Sequence, residues 1–392
     1  MKLIILASHP VQYHAPVFRA VSQQLAQQGD DCLVVYLSDF SIQGYRDAEF
    51  GQAVAWDEPL LEGYRSRILN ENQTQQPRSF GELQAPGWDR VLRDEQPTRV
   101  LVTNLNYRGA VSVSLQARLA GVPCTLRVET NDRAVSRSRV KSLARSLWYR
   151  SLYSALFDSA IAIGSLNRDH LTGHGIAPER VGLAYYCVPD RFQPIPTDEK
   201  PQLRQQLRQE LNLDDRTAIL FSGKLIPKKN PQLLLDAIAQ LPEASQNRLA
   251  VIFLGAGELE SQLRQMAANL PAVKIHLAGF KNQQELPPYY LAADALVLPS
   301  SQAGETWGLV VNEAMQAGLP CIVTQQVGCA VDFKDFPTFQ AIPQPEATSL
   351  AAAIANLIDL PREFERYASL MKSFSVEACG ERIASFLQGL DA

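Results

Sequence analysis

Short apolar runs of strand length alternate with segments of helical periodicity along most of the chain. Residues 3–7 are a continuous apolar run, and a helical pattern begins after them at Pro16. Proline suits the first turn of a helix, where its missing N–H would have no partner. Strands that are apolar throughout are typical of a parallel sheet covered by helices on both faces. The pattern therefore predicts an α/β fold.

The first half of the chain contains further strand and helix units of this kind. Strands are predicted at 100–102 and 124–128, and helices at 110–120 and 138–156. Residues 40–94 are rich in Gly, Gln and aromatic residues and carry no clear period. Because this stretch is longer than an ordinary connection, we expect a functional excursion from the first domain there.

A proline-rich stretch at 188–201 is the predicted linker between two domains. The alternation restarts after it, with strands at 218–222, 250–254, 273–278, 295–298 and 321–324 and helices at 231–240, 258–269, 288–292 and 309–317. We expect an amino-terminal domain over 1–195, a carboxy-terminal domain over 196–375, and a terminal helix over 376–392 that packs back on the first domain. Ligands of such doubly wound sheets bind beyond the carboxyl ends of the strands, so a cleft between the domains is the expected site.

Composition narrows the classes of protein that fit. A chain of 392 residues with 46% hydrophobic residues suggests two globular domains. The net charge of −4 argues against a protein that coats nucleic acid. Six scattered cysteines, a short apolar start and no long apolar segment favour a reducing, cytoplasmic location without export or a membrane span.

Glycines and lysines follow two of the predicted strands in the second half. Gly223, Lys224 and Lys229 lie between one strand and the next helix, where lysines and the helix dipole can neutralise a phosphate. The other reading is a solvated basic turn. Gly255 and Gly257 follow the next strand and would let the backbone approach a ligand.

The most informative constellation extends from Glu305 to Glu313. Glu305 and the amides of Gly308 and Leu309 fall where a strand meets the start of a helix, which suits an anion. Glu313 lies about one turn deeper in that helix, and its carboxylate can accept two hydrogen bonds from a vicinal diol such as a ribose. Either glutamate could instead be an ordinary surface carboxylate.

These three motifs, in this order and spacing, resemble the family 4 glycosyltransferases, which are retaining enzymes of the GT-B fold. The resemblance implies that Lys224 and Lys229 hold the diphosphate of a UDP- or GDP-sugar donor and that Glu305 contacts the transferred sugar. It further implies that the amides of Gly308 and Leu309 bind the phosphates and that Glu313 binds the ribose. Thr306 and Trp307 lie in the same donor motif. No metal or cofactor is expected, because positive charge and a helix terminus can stabilise the departing diphosphate.

The amino-terminal domain is expected to bind the acceptor, which would be a glycan, a lipid-linked molecule or a small molecule. The segment 8–16 resembles one bacterial branch of the family, and its His9 is a candidate for proton transfer. Further candidates for acceptor contact are Gln12, Tyr13, His14, Arg127 and Glu129. A nucleotide-sugar epimerase and a non-catalytic nucleotide-sugar-binding protein remain alternatives.

Two other features of the first half have competing interpretations. Residues 133–150 are basic, beside an apolar stripe that includes Leu147 and Trp148; the stripe packs on the first sheet or rests on an anionic membrane at the inner face. His170 and His174 are four residues apart with no evident third ligand, so we expect surface residues at a helix end rather than a metal site.

Overall fold

The computed structural model describes residues 1–42, 44–47, 52–73, 75–133, 139–301 and 304–391. They form two parallel sheets with helices on both faces, and a small antiparallel hairpin. The predicted α/β fold is confirmed.

The first sheet belongs to the amino-terminal half and has the strand order β5-β2-β1-β6-β7-β8-β9. The elements of this half are β1 (Lys2–Ala7), α1 (Ala15–Gln27), β2 (Asp31–Tyr36), β3 (Tyr45–Asp47), β4 (Gln52–Val54), β5 (Arg65–Ile68), α2 (Trp88–Glu95), β6 (Arg99–Val102), α3 (Arg108–Leu119), β7 (Cys124–Leu126), α4 (Arg139–Leu156), β8 (Ser159–Ala162), α5 (Ser165–Gly173) and β9 (Val181–Leu183). Strands β3 and β4 pair as the hairpin.

The second sheet has the strand order β12-β11-β10-β13-β14-β15. Its half comprises α6 (Lys200–Glu210), β10 (Thr217–Ser222), α7 (Gln232–Ala239), α8 (Glu243–Gln246), β11 (Leu249–Leu254), α9 (Glu260–Ala268), β12 (Lys274–Gly279), α10 (Leu286–Ala292), β13 (Ala295–Leu298), α11 (Leu309–Gln316), β14 (Cys321–Thr324), β15 (Phe339–Ile342), α12 (Ala347–Ala355), α13 (Ala368–Met371) and α14 (Val376–Asp391).

The stretch 40–94 is only partly an excursion, because β5 within it forms the edge of the first sheet beside β2. The residues of β5 are exposed or half-buried. An edge strand buries little of its surface, which explains why the sequence shows no apolar run there.

The chain returns to the first domain at its end. Residues of α14, including Cys379 and Ile383, share a buried cluster with Leu3 of β1 and Val21 of α1. A Cβ atom on Gly380 would lie 2.6 Å from the Cβ of Ala20, so α1 and α14 are in close contact. The junction with the second domain is therefore crossed twice, near residue 188 and near residue 375.

Candidate active site

A cleft of about 490 Å³ lies between the two domains at the carboxyl ends of the strands. Among the residues named from the sequence, those that line it are Gln12, Tyr13, Glu129, Gly223, Lys224, Lys229, Gly255, Glu305, Thr306, Trp307, Gly308, Leu309 and Glu313. Donor and acceptor candidates from the two halves of the chain thus meet in one cavity. A larger cavity of about 920 Å³ lies elsewhere on the second domain and contains none of these residues.

The loops after β10 and β11 form one wall of the cleft and are joined by backbone hydrogen bonds. Leu225 N donates to Ala256 O at 2.9 Å. A Cβ on Gly255 would lie 1.9 Å from Gly223 O, and one on Gly257 would lie 2.4 Å from Leu225 O. Both glycines have positive φ angles of 148° and 159°. The two glycines are therefore needed for the contact between the loops. The sequence suggested instead that they let the backbone approach a ligand, but Gly257 does not line the cleft.

Charged side chains converge where β10 and β13 end. The Lys229 ammonium forms an ion pair with Glu305 Oε2, and the Ser300 hydroxyl donates to the same oxygen at 3.1 Å. The side chains of Lys229 and Glu305 are only 17% and 12% exposed. Lys224 and Lys228 also line the cleft. This wall is rich in positive charge around one carboxylate.

Helix α11 points its amino terminus into the cleft. Gly308 caps it with a φ of 99°, and a Cβ there would lie 2.8 Å from Val327 Cγ1. The amides at the start of a helix have no partner within the helix and carry partial positive charge. Gly308 and Leu309 line the cleft at this point, which agrees with an anion-binding corner.

The Trp307 side chain packs across the domain junction. It is 2% exposed, and a Cβ on Gly164 would lie 2.2 Å from its ring. The indole N–H donates to Asn312 Oδ1 at 2.8 Å, and Asn312 Nδ2 donates to Tyr186 O at 3.1 Å. The ring thus fixes the loop between β13 and α11 against the first domain.

Glu313 is buried in the floor of the cleft. The Tyr290 hydroxyl donates to its Oε2 at 2.5 Å and lies 2.9 Å from the Ser222 hydroxyl. Within the described part of the chain, Glu313 Oε1 has no hydrogen-bond partner. Burial raises the pKa of Glu313 to about 7. An unsatisfied buried oxygen is costly unless a ligand completes it.

The opposite wall carries Glu129 in a polar cluster. His14 Nε2 lies 3.2 Å from Glu129 Oε1, and the Tyr186 hydroxyl donates to that oxygen at 2.7 Å. Burial acts to raise the pKa of Glu129, but the hydrogen bonds from His14 and Tyr186 outweigh it and lower that pKa. The carboxylate is therefore ionised at neutral pH.

Three candidates from the first domain lie outside the cleft lining. The His9 ring packs against Phe40 in a tilted arrangement with ring centroids 4.3 Å apart, and burial lowers the pKa of His9 to about 3, so the ring is neutral. His14 lies behind Glu129 in a small adjoining cavity that also contains Arg127. Arg127 donates to Ala184 O at 2.9 Å, which makes it a partner of the backbone.

The loop after β14 supports the donor motif. Cys329 N donates to Trp307 O at 2.9 Å, and a Cβ on Gly328 would lie 1.8 Å from Thr306 O. Asp332 accepts a 2.6 Å hydrogen bond from the hydroxyl of Ser165, the first residue of α5. This loop therefore links the donor motif to the first domain.

The sequence did not single out several residues that complete the site. Tyr186, Ser222, Gln283 and Tyr290 line the cleft or bind Glu313. Tyr186 and Tyr290 occur in mainly apolar or proline-containing segments, which look like core from the sequence. Lys228 also lines the cleft. Its position next to Lys229 in the sequence is the signal that could have identified it.

The expectation that His170 and His174 lie at the surface is wrong. They are 1% and 8% exposed, and both contact the Asp132 carboxylate. Asp132 is far away in the sequence, and only the fold brings it to the histidines.

Part of the apolar stripe of the basic segment faces outward. Leu147 and Trp148 are 59% and 55% exposed, whereas Tyr153 and Leu156 of the same helix pack into the core. The interpretation that the stripe packs on the sheet is therefore wrong for these two residues. Residues 134–138 of the basic segment lie outside the described residues. Among the helices the structure describes, none is both long and apolar enough to cross a membrane.

The chain is similar to known glycosyltransferases in sequence and fold. Residues 204–373 match the family described as glycosyl transferases group 1. An α-D-kanosaminyltransferase of Streptomyces kanamyceticus is 24% identical over 69% of this chain and 71% of its own length. A D-inositol 3-phosphate glycosyltransferase of Streptomyces coelicolor is 30% identical, over 53% of this chain and 49% of its own length, so the chain spans about half of that relative.

The crystal structure of Anabaena HepE in complex with UDP-glucose superposes with a TM-score of 0.68 at 20% identity, over 99% of this chain and 100% of that chain. At this identity the likeness bears on the fold alone. Together with the family match, it agrees with two facing Rossmann-like domains. Residues 204–373 therefore form a domain of the glycosyl transferases group 1 family, and the chain has the GT-B fold.

Proposed function

We propose that the cleft binds a nucleotide-sugar donor on its second-domain wall and an acceptor on its first-domain wall, and that the sugar is transferred with retention of anomeric configuration. The observation that carries the proposal is the convergence of Lys229, Glu305 and Glu313 with the amino terminus of α11 in one cavity. The donor is a UDP- or GDP-sugar. The acceptor is a glycan, a lipid-linked molecule or a small molecule.

The nucleoside end of the donor would lie against Glu313. Glu313 Oε1 is buried without a hydrogen-bond partner in the described part of the chain, and Glu313 lines the cleft. A hydroxyl group of a bound ligand would supply the missing hydrogen bond. A ribose diol supplies two such donors to one carboxylate. Tyr290 holds the other oxygen and so fixes the orientation of the carboxylate.

The diphosphate would lie between the lysine-rich loop and the start of α11. Lys224 and Lys229 bring positive charge, and the Gly308 and Leu309 amides are the natural partners of phosphate oxygens. Negative charge develops on the diphosphate as it leaves, and these groups are positioned to stabilise it. We therefore propose that transfer needs neither a metal ion nor a cofactor.

The acceptor would approach from Gln12, Tyr13 and Glu129. The ionised Glu129 can accept a hydrogen bond from an acceptor hydroxyl, and His14 and Tyr186 fix its position. This assigns Glu129 a binding role and His14 a supporting one.

Peripheral contact with an anionic membrane is a further part of the proposal. Leu147 and Trp148 of α4 and Leu115 and Leu119 of the neighbouring α3 are among the exposed large apolar side chains, with Leu119 79% exposed. Exposed Arg150 lies on α4 as well. Apolar side chains beside cations are typical of helices that rest on anionic lipid. Such contact would bring the enzyme to a lipid-linked acceptor.

Product analysis tests the proposed reaction. The protein is incubated with UDP- and GDP-sugars, with and without an acceptor panel, in the absence of added Mg²⁺ or Mn²⁺. We expect nucleoside diphosphate and a glycosylated product whose anomeric configuration, read by NMR, matches that of the donor. An inverted product would contradict the proposal. An epimer of the donor formed without acceptor would favour an epimerase, and binding without turnover would favour a binding protein.

A further inference from the structure

A second cluster of functional side chains lies in the first domain, outside the cleft. It consists of Asp132, His170 and His174, and one potential ligand atom from each lies within 4.8 Å of the other two. His170 Nδ1 is 3.0 Å from Asp132 Oδ1, and His174 Nε2 is 3.0 Å from Asp132 Oδ2. Two imidazoles and a carboxylate are a common ligand set of catalytic and open zinc sites.

The fold fixes two of the three groups firmly. His170 lies in the last turn of α5, and His174 is the residue that ends this helix. Both rings are buried, whereas the Asp132 side chain is 54% exposed. The cluster is therefore rigid on the protein side and open on the solvent side, where a water molecule could complete a tetrahedral metal.

Each histidine has a hydroxyl partner on its outer nitrogen. Tyr153 Oη lies 3.1 Å from His170 Nε2, and Ser146 Oγ lies 3.2 Å from His174 Nδ1. A hydroxyl can accept as well as donate, so both outer N–H groups would have acceptors if the inner nitrogens bound a metal. Outer partners of this kind orient metal-bound imidazoles.

We propose that Asp132, His170 and His174 bind a divalent transition metal of the zinc type. The metal would tie the loop that follows β7 to α5. Both elements contact the second domain, because Asn131 Nδ2 donates to Thr306 O at 3.3 Å and Ser165 binds Asp332. The site would therefore stabilise the first-domain elements that contact the loop between β13 and α11 and the loop after β14, without taking part in transfer.

Direct metal titration tests the site. Tag-free full-length protein is freed of metal with a chelator and titrated with Zn²⁺ by calorimetry and with Co²⁺ by visible spectroscopy. We expect about one equivalent to bind, with the d–d absorption of four-coordinate cobalt and no thiolate charge-transfer band. Asp132→Asn and His174→Gln should each weaken binding by about 100-fold or more, while His276→Gln, a histidine of β12, should leave it unchanged.

Two results would overturn the proposal. One is the absence of saturable Zn²⁺ and Co²⁺ binding to the folded wild-type protein. The other is binding that survives in Asp132→Asn or that shows thiolate bands. If both variants unfold, X-ray absorption of the zinc-loaded wild type decides, because the proposal requires nitrogen and oxygen neighbours including two imidazoles and no sulfur.

Discussion

The Lys229 ammonium and the Glu305 carboxylate form an ion pair in the wall of the interdomain cleft. The two residues follow different strands, β10 and β13, which are neighbours in the second sheet. The pair holds two largely buried opposite charges beside the start of α11. Removal of one partner leaves the other charge uncompensated, so both groups are expected to matter for binding and turnover.

Lys229→Ala and Glu305→Ala are each expected to lower kcat/KM for sugar transfer by about 100-fold or more. The first removes positive charge that faces the departing diphosphate, and the second removes the carboxylate proposed to contact the transferred sugar. Lys274→Ala is the matched control, since Lys274 pairs with Asp214 outside the cleft. Steady-state kinetics on variants with wild-type circular dichroism would measure this. Full activity in either cleft variant would remove that residue from the site.

Donor binding should depend on the ionisation of Glu313. Its pKa of about 7 means that the carboxylate is largely protonated at pH 6 and ionised at pH 8. We expect donor affinity to rise with pH across this range, because an ionised carboxylate accepts more strongly from a ribose. Glu313→Gln should bind the donor more weakly at pH 8 and lose the pH dependence, as calorimetry would report. An identical pH profile in the variant would contradict the assignment.

The same residue should make the fold less stable as pH rises. The folded state binds the Glu313 proton more tightly than the unfolded state, whose pKa is near 4.5, so stability is lost between about pH 4.5 and 7. The full effect is about 3 kcal/mol, because one pKa unit equals about 1.4 kcal/mol. Denaturant unfolding of wild type and Glu313→Gln should differ more at pH 8 than at pH 5, with the variant relatively more stable at pH 8. Parallel curves would show that Glu313 titrates near its ordinary pKa.

Gly255→Ala should damage the fold of the donor wall. The new Cβ would lie 1.9 Å from Gly223 O, at a φ angle of 148° that L-residues rarely adopt. We expect a loss of at least about 2 kcal/mol in unfolding free energy. Gly389→Ala in α14 is the control; nothing lies within 4 Å of its new Cβ, and it should stabilise slightly. Equal stability of the two variants would contradict the close contact of the loops.

Membrane contact is expected to depend on Leu147 and Trp148. The double variant Leu147→Ser, Trp148→Ser should reduce sedimentation with vesicles of phosphatidylglycerol and phosphatidylethanolamine, because it removes exposed apolar surface beside basic residues. Leu370→Ser, an exposed leucine of the second domain, should have no effect. Two results would contradict contact with an anionic lipid surface. One is wild-type protein that binds phosphatidylcholine vesicles as well as the phosphatidylglycerol vesicles, and the other is wild-type protein that does not bind the phosphatidylglycerol vesicles.

Regular apolar runs made most of the fold predictable. Strand β13 coincides with the predicted residues 295–298, and β14 with 321–324, because both are buried throughout. Strand β5 was missed since its edge position leaves polar residues in it. Periodicity reports burial, and an edge strand has little of it.

The segment from Glu305 to Glu313 was predicted to lie at a strand end beside a helix start, because its residues follow one another closely in the sequence. Glu305, Gly308 and Glu313 belong to a single strand-to-helix segment. Asp132, by contrast, lies 38 residues from His170 and becomes its neighbour only through the packing of α5 against the loop after β7. Contacts of this kind depend on tertiary structure and leave no local pattern.

Donor binding to the cleft is the central claim, and a thermal-shift comparison tests it most directly. A ligand that binds only the folded state raises Tm, and the rise grows with the ratio of the ligand concentration to its Kd. A UDP- or GDP-sugar should raise the Tm of wild type and of Lys274→Ala by the same amount. It should raise the Tm of Lys229→Ala and Glu313→Gln much less. Equal shifts in all four proteins would contradict the account, as would the absence of a shift with every nucleotide sugar.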